Sequence, residues 1–124
     1  MNDMTKPPRI LVVDDCADAA DGLALFLRME GVDARAAYSG PQALLLARSW
    51  SPDVAVLDLS MPGMDGFELA VQLSRLSGHE RQPRLIALTG WDAEQTMHQC
   101  ATCGFVACLT KPVEPALLIR WLRW

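Results

Sequence analysis

The chain has 124 residues, 51% of them hydrophobic, and a formal net charge of −4 at pH 7, which is the size and composition of one compact domain. Its acidic balance and the lack of a Lys/Arg block argue against direct binding to nucleic acid. No apolar run approaches the ~20 residues of a membrane helix, so we expect a cytoplasmic protein without membrane insertion. We predict a single domain over residues 1–124, with a flexible N-terminal segment at 1–8 and no effector domain.

The first 76 residues predict three strands, each followed by an amphipathic helix. Arg9–Asp15 and Val54–Leu59 carry apolar runs typical of strands buried on both faces, whereas Val32–Tyr38 alternates as an edge strand does. Apolar side chains at helical spacing mark the helices: Leu23, Phe26 and Leu27, then Ala43, Leu46, Ala47 and Trp50, then Leu69, Leu73 and Leu76. Ser39, three residues before Gln42, has capping-box spacing and predicts the start of the second helix.

The remaining residues continue the alternation of strand and helix. Leu85–Leu88 and Phe105–Leu109 are two further buried strands. A fourth helix runs from about Ala93 to Cys103 and stops at Gly104, and a fifth begins near Glu114. The fifth helix is expected to bury Leu118, Trp121 and Leu122. This order predicts a doubly wound α/β fold, a five-stranded parallel sheet with helices on both faces.

Polar residues stand at the carboxyl ends of the predicted strands, where open parallel sheets bind their ligands. The first strand ends in Asp14 and Asp15, the third in Asp58, the fourth in Thr89 and the fifth in Lys111. Converging carboxylates repel one another, and Mg²⁺ or Mn²⁺, held by the three Asp residues and the backbone carbonyl of Ser60, would relieve that repulsion. Asp58 follows an apolar strand and precedes a tight loop, which favours it as a phosphoryl acceptor assisted by Thr89 and Lys111.

Each of these residues also has a purely structural explanation. An Asp pair after a strand often caps a helix, and Lys-Pro is often a turn, so the functional interpretation depends on their convergence. The four cysteines are expected to be reduced. Cys100 and Cys103 have the spacing of a metal or redox pair, but no second pair accompanies them, and the end of a helix is the favoured interpretation.

Four stretches of the chain resemble the motifs of one protein family, in the right order and at suitable spacing. They are Leu11–Asp15, Val56–Gly66, Ala87–Gly90 and Thr110–Pro112. From Ile10 to Trp121 the chain is similar to the receiver domain of two-component response regulators. The resemblance implies a flavodoxin-like (βα)5 fold with strand order 2-1-3-4-5, and a cis peptide bond between Lys111 and Pro112.

The resemblance also implies a role for each residue at the strand ends. Asp58 would accept phosphate from a sensor histidine kinase or a phosphotransfer protein, and the aspartyl phosphate would hydrolyse slowly by itself. Asp14 and Asp15 would hold Mg²⁺ together with Asp58, and Thr89 and Lys111 would contact the phosphoryl group. These roles agree with those inferred from the strand ends.

One position departs from the family pattern. Receiver domains usually carry Tyr or Phe three residues before the lysine, as a switch coupled to the threonine, and this chain has Cys108. Phe105, the first apolar residue of its strand, is expected in the core instead. Trp91 stands two residues after Thr89, where receiver side chains face the phosphoryl group, and we expect its bulk to slow hydrolysis of the aspartyl phosphate.

The leading interpretation is a signalling switch rather than an enzyme. Phosphorylation would change binding to a downstream protein or to an attached kinase or effector. An alternative is a receiver-like interaction module that does not use phosphate, with Cys108 as a decayed switch, although the intact site residues oppose it. An aspartate-nucleophile phosphatase would need a second Asp where Ser60 stands. A flavin carrier would need a phosphate-binding loop where Asp14–Cys16 stands.

Overall fold

The protein is described by a computed structural model over residues 6–76, 82–90 and 93–122. Within these ranges five strands and five helices alternate: β1 Arg9–Val13, α1 Ala17–Met29, β2 Asp33–Ala37, α2 Gly40–Trp50, β3 Val54–Asp58, α3 Gly66–Leu76, β4 Arg84–Thr89, α4 Ala93–Thr102, β5 Phe105–Thr110 and α5 Pro115–Leu122. The strands form one parallel sheet in the order β2-β1-β3-β4-β5, which confirms the predicted fold. Residues 1–5 of the predicted flexible segment lie outside the described residues.

The sheet is buried on both faces because its central strands carry apolar side chains on both. Every residue of β3 is buried, and successive side chains point to opposite faces. Leu11 and Leu57 pack with α2, α3 and α4 on one face. Val12 and Val56 pack with α1 and α5 on the other. Each fully buried Leu or Val contributes about 1.5–3 kcal/mol, so two cores hold the strands in register.

The helices begin and end close to the predicted positions. Ser39 caps α2, because its Oγ accepts a hydrogen bond from the backbone N–H of Gln42 at 3.2 Å, and α4 ends just before the left-handed Gly104, whose φ is +91°. None of the described helices is long and apolar enough to cross a membrane.

The predicted burial of Trp121 in α5 was wrong. Trp121 is 36% exposed, while Leu118 and Leu122 are buried against the sheet. Residues four apart on a helix lie nearly above one another, so these two leucines form the narrow apolar stripe of this short helix. Trp121 falls at the edge of that stripe.

An extra residue in β5 changes which side chains face the sheet's two cores. Phe105 pairs with Leu85, but Ala107 rather than Val106 pairs with the next residue of β4, so Val106 forms a β-bulge and is exposed. The bulge places Phe105 and Cys108 on the same face, towards α2, α3 and α4. Phe105 is buried there, as predicted.

Candidate functional site

Two of the predicted site carboxylates are buried at the ends of central strands. Asp14 follows β1 and is 4% exposed, and Asp58 is the last residue of β3 and is 2% exposed. The backbone N–H of Cys16 donates to Asp14 Oδ1 at 3.0 Å, and that of Ser60 donates to Asp58 Oδ1 at 3.1 Å. These local hydrogen bonds orient each carboxylate at the turn that follows its strand.

A single ammonium group contacts both buried carboxylates. Lys111 Nζ lies 3.0 Å from Asp14 Oδ2 and 3.2 Å from Asp58 Oδ1. The backbone of Lys111 is itself tied to the end of β4, since its N–H donates to the carbonyl of Thr89 at 2.7 Å. The peptide bond between Lys111 and Pro112 is cis, as the resemblance implied. The carboxyl ends of β1, β3, β4 and β5 therefore meet in one crevice.

The crevice contains a cluster of acidic groups that could hold a cation. One carboxylate oxygen each of Asp14, Asp15 and Asp58 lies within 4.8 Å of the other two, with Asp15 the exposed member. Three ionised carboxylates beside one ammonium leave a net charge of −2. Hard carboxylate oxygens at this spacing suit Mg²⁺ or Mn²⁺, which neutralise such repulsion. The residues present therefore fit a divalent metal centre.

The electrostatics of the crevice are dominated by the burial of Asp58. The pKa of Asp58 is raised from 3.8 to about 6, mainly by burial. The Ser60 N–H and Lys111 lower this pKa, and the negative charge of Asp14 raises it. Burial also lowers the pKa of Lys111, but its hydrogen bond to Asp14 and the charge of Asp58 outweigh burial and raise that pKa overall. Near pH 7 Asp58 is thus mostly ionised and Lys111 is protonated.

Thr89 and Ser60, the other predicted site residues on the described part of these strand ends, differ in their exposure to solvent. Thr89, the last residue of β4, is fully buried and pairs with Thr110 of β5. Ser60 is exposed in the loop after β3, and its role as a carbonyl ligand stays a prediction. Trp91, the predicted modulator of hydrolysis, lies outside the described residues.

Cys108 occupies the place of the family's aromatic switch and faces α4. It is partly buried and packs against the core between the sheet and α2, α3 and α4. Its Sγ lies 3.4 Å from Thr96 Oγ1 of α4, at hydrogen-bonding distance for sulfur. The structure therefore puts a small thiol where an aromatic ring is usual.

Two glycines shape the loop after β3, a role that the sequence analysis did not assign. The N–H of Gly66 donates to the carbonyl of Leu59 at 3.2 Å, and a Cβ at Gly66 would lie 2.5 Å from the carbonyl oxygen of Asp58. A Cβ at Gly40 would lie 2.6 Å from Met64 Sδ of the same loop. The sequence carries a signal only for Gly66, which ends the run Met61–Gly66 with its proline and second glycine, Gly63.

Comparisons with known proteins agree with this geometry. The model of the response regulator receiver domain family matches residues 10–123. An uncharacterised 14.6 kDa protein of Leptolyngbya boryana is 41% identical over 92% of this chain and 86% of its own length. Longer response regulators also match, and the chain spans about a third or a quarter of their length.

Solved structures of receiver domains have the same fold. The chemotaxis protein CheY4 of Vibrio cholerae superposes with a TM-score of 0.86 at 26% identity, covering 94% of this chain and 97% of that one. A Burkholderia pseudomallei response regulator, solved with a phosphorylated aspartic acid, calcium ion and citrate, has a TM-score of 0.83 at 28% identity. The superposition covers 94% of this chain and 66% of the Burkholderia chain.

Proposed function

Because the chain belongs to the receiver domain family of response regulators, a family of two-component signalling, we propose that Asp58 accepts a phosphoryl group from a histidine kinase or a phosphotransfer protein. The observation that carries the proposal is the contact of Lys111 Nζ with both Asp14 and Asp58. That ammonium lies beside the one carboxylate that ends the central strand β3. The Burkholderia relative with a phosphorylated aspartic acid supports the same chemistry.

Asp58 acts as the nucleophile in this proposal. Its pKa of about 6 leaves it mostly ionised at pH 7, so a carboxylate oxygen can attack the phosphorus atom while the bond from phosphorus to the donor nitrogen breaks. The surrounding strands hold the carboxylate at the sheet edge, which reduces the entropy lost when the donor docks. The product is an aspartyl phosphate.

Lys111 and Thr89 stabilise the transferred group. The Lys111 ammonium, already 3.2 Å from Asp58 Oδ1, neutralises charge on the phosphoryl oxygens, and the Thr89 hydroxyl donates a hydrogen bond to them. Both side chains come from the ends of neighbouring strands, because Thr89 pairs with Thr110 directly before Lys111. A change at Asp58 is thereby transmitted to β4 and β5.

A divalent cation completes the proposed site. Asp14, Asp15 and Asp58, with the backbone carbonyl of Ser60, would hold Mg²⁺, and Mn²⁺ prefers the same oxygen ligands. When bound, the cation supplies positive charge that lowers the repulsion between the Asp58 carboxylate and the phosphoryl oxygens. The same crevice allows slow hydrolysis of the aspartyl phosphate.

The output of the switch is a changed protein surface. The phosphoryl group carries nearly two negative charges at the sheet edge in place of the single charge of the Asp58 carboxylate, which draws Thr89 and Lys111 towards it and favours one of two conformations. In the cytoplasm, where we place the protein, the favoured conformation would bind a downstream protein or an attached kinase or effector.

The test is phosphorylation by acetyl phosphate, followed by intact mass spectrometry with Mg²⁺ and with EDTA. We expect one phosphoryl adduct with Mg²⁺, formation about 100-fold slower in EDTA, and no adduct in Asp58→Asn. Asp53→Asn is the matched control, because Asp53 lies just before the other end of β3, and it should form the adduct normally. Mg²⁺ binding without any adduct would instead favour the phosphate-independent interaction module.

A further inference from the structure

The thiol of Cys108 is part of a cysteine cluster between α4 and β5. Cys100 of α4 is 3% exposed in the core on this face of the sheet. Cys108 and Cys103 pack against the same core from its partly buried rim. Cys100 lies one helical turn after Thr96, whose Oγ1 is 3.4 Å from Cys108 Sγ, so Cys100 and Cys108 lie on the facing sides of α4 and β5. Burial, followed by a hydrogen bond with Cys108, raises the pKa of Cys100 to about 12.

The β-bulge in β5 creates this pairing. If Val106 paired in the ladder like its neighbours, the strict alternation of a strand would point Phe105 and Cys108 to opposite faces. Because Val106 is left out in the bulge, both face the core with α2, α3 and α4, and the Cys108 sulfur lies beside the Thr96 hydroxyl.

We propose that Cys100 and Cys108 form a disulfide under oxidation by hydroperoxides, and that this bond locks α4 to β5. The more accessible Cys108 thiolate attacks a peroxide oxygen, the O–O bond breaks, and Cys108 becomes a sulfenic acid while an alcohol or water leaves. The Cys100 sulfur then attacks the Cys108 sulfur, the S–O bond breaks, and the departing hydroxide takes the Cys100 proton as water. Two thiols are oxidised and one peroxide is reduced.

The consequence for signalling rests on the proposed function. Cys108 pairs with Ala87 in the sheet, two residues before Thr89, so a covalent link from Cys108 to α4 ties α4 to the ends of β4 and β5. Strands held in this way oppose the movement of Thr89 towards a phosphoryl group. Oxidation therefore reduces the rate at which Asp58 is phosphorylated.

The first experiment detects the disulfide without phosphorylation. Cys16→Ser serves as the parent protein, because Cys16 is exposed and could link two molecules. After treatment with hydrogen peroxide, we expect the parent to lose two of its three alkylatable thiols and the mass of two hydrogen atoms, and to regain both with dithiothreitol. Three thiols that remain alkylatable would overturn the proposal.

Peptide mapping identifies the partners in the same protein. Chymotryptic cleavage after Phe105 separates Cys108 from Cys100 and Cys103, so a bond to Cys108 joins two peptides. Adding Cys103→Ser should leave the cross-link intact, whereas adding Cys108→Ala should remove it. A cross-link lost with Cys103→Ser, or a loss of two thiols that survives Cys108→Ala, would assign the bond to Cys103 and overturn the pairing.

The second experiment compares phosphorylation of the oxidised and reduced parent by acetyl phosphate with Mg²⁺. We expect about tenfold slower adduct formation after oxidation, and no such difference in the protein that also carries Cys108→Ala. Equal rates in both redox states would overturn the regulatory effect and leave the disulfide. A reduced protein that forms no adduct would refute the proposed function, while the disulfide experiment is judged on its own readout.

Discussion

The two ends of β3 place acidic residues in opposite environments. Asp53, just before the strand, accepts a hydrogen bond from the backbone N–H of Arg9 at 2.8 Å, and the Arg9 guanidinium donates to the carbonyl of Trp50 at 2.7 Å. Asp58, at the other end, shares one ammonium with Asp14 in a cluster of three carboxylates. At the amino end of β3 the charged groups of Asp53 and Arg9 thus have hydrogen-bond partners, whereas the carboxyl end gathers three carboxylates beside one ammonium.

The difference separates stabilising charges from functional ones. The hydrogen bond that Asp53 accepts stabilises the folded state, whereas the raised pKa of Asp58 means that its ionisation costs folding free energy. Groups that are costly in the folded state cluster at functional sites. The carboxyl end of the sheet is therefore where the protein gives up stability for chemistry.

The largest effect is expected for Gly66→Ala at the carboxyl end. The new Cβ would overlap the backbone carbonyl of Asp58, which cannot rotate away, so unfolding in urea should show a loss of about 3 kcal/mol. Gly22→Ala is the control, because a Cβ at this position of α1 would meet nothing within 4 Å beyond its chain neighbours and the backbone of its own helix. It should gain up to about 1 kcal/mol. A Gly66→Ala protein of normal stability would mean that the loop after β3 shifts to accommodate the new Cβ at little cost in free energy.

Removing the charge of Asp58 should stabilise the metal-free protein. The pKa of Asp58 in the folded state, about 6, lies above the ordinary 3.8. The protonated carboxyl therefore contributes its full stability below about pH 4, and this contribution is lost as the pH rises through 6 and the carboxyl ionises. In EDTA at pH 7, Asp58→Asn should therefore be more stable by about 2 kcal/mol, and the difference should vanish near pH 4. Urea unfolding at several pH values measures it. A variant less stable than the parent at pH 7 would contradict the proposed cost.

At the amino end of β3, removing a carboxylate should lower the free energy of unfolding instead of raising it. Asp53→Ala removes the carboxylate that accepts from the Arg9 N–H, and the free energy of unfolding should fall by about 1.5 kcal/mol. The same urea series, read beside Asp58→Asn, compares the two ends of one strand directly. Equal signs for the two substitutions would remove the distinction between the ends.

The smallest effect is expected at the start of α1, beside the acidic cluster. Cys16 is the N-cap residue but makes no side-chain cap hydrogen bond, so Cys16→Ser should raise the free energy of unfolding by about 0.5 kcal/mol. Ser39→Ala removes the working cap of α2 and should lower it by about 1 kcal/mol. Thermal unfolding of both proteins tests the pair, and a neutral Ser39→Ala would show that caps contribute little here.

The order of the elements was predictable because each strand carries its own local signal. Apolar runs mark β1 and β3 as strands buried on both faces, and alternation of apolar and polar residues marks β2 as an edge strand. The convergence of Asp58 and Lys111 followed from the rule that parallel strands share one carboxyl edge.

Other features depend on three-dimensional packing that no local pattern encodes. The exposure of Trp121 reflects the narrow stripe between α5 and the sheet, and the role of Gly66 reflects the backbone of Asp58 eight residues earlier. The bulge at Val106 is set by the pairing of β5 with β4. The raised pKa of Asp58 likewise requires knowing its burial.

The bulge at Val106 has a consequence for insertions and deletions in this part of the chain. A strand has a period of two residues, so the number of paired residues decides which face each side chain takes. Val106 is the residue that the ladder leaves out, so its deletion would keep Phe105, Ala107 and Cys108 on their present partners and faces. The strand can therefore absorb one deletion, whereas a deletion of two residues would shift the phase of every side chain that follows and be felt at the crevice.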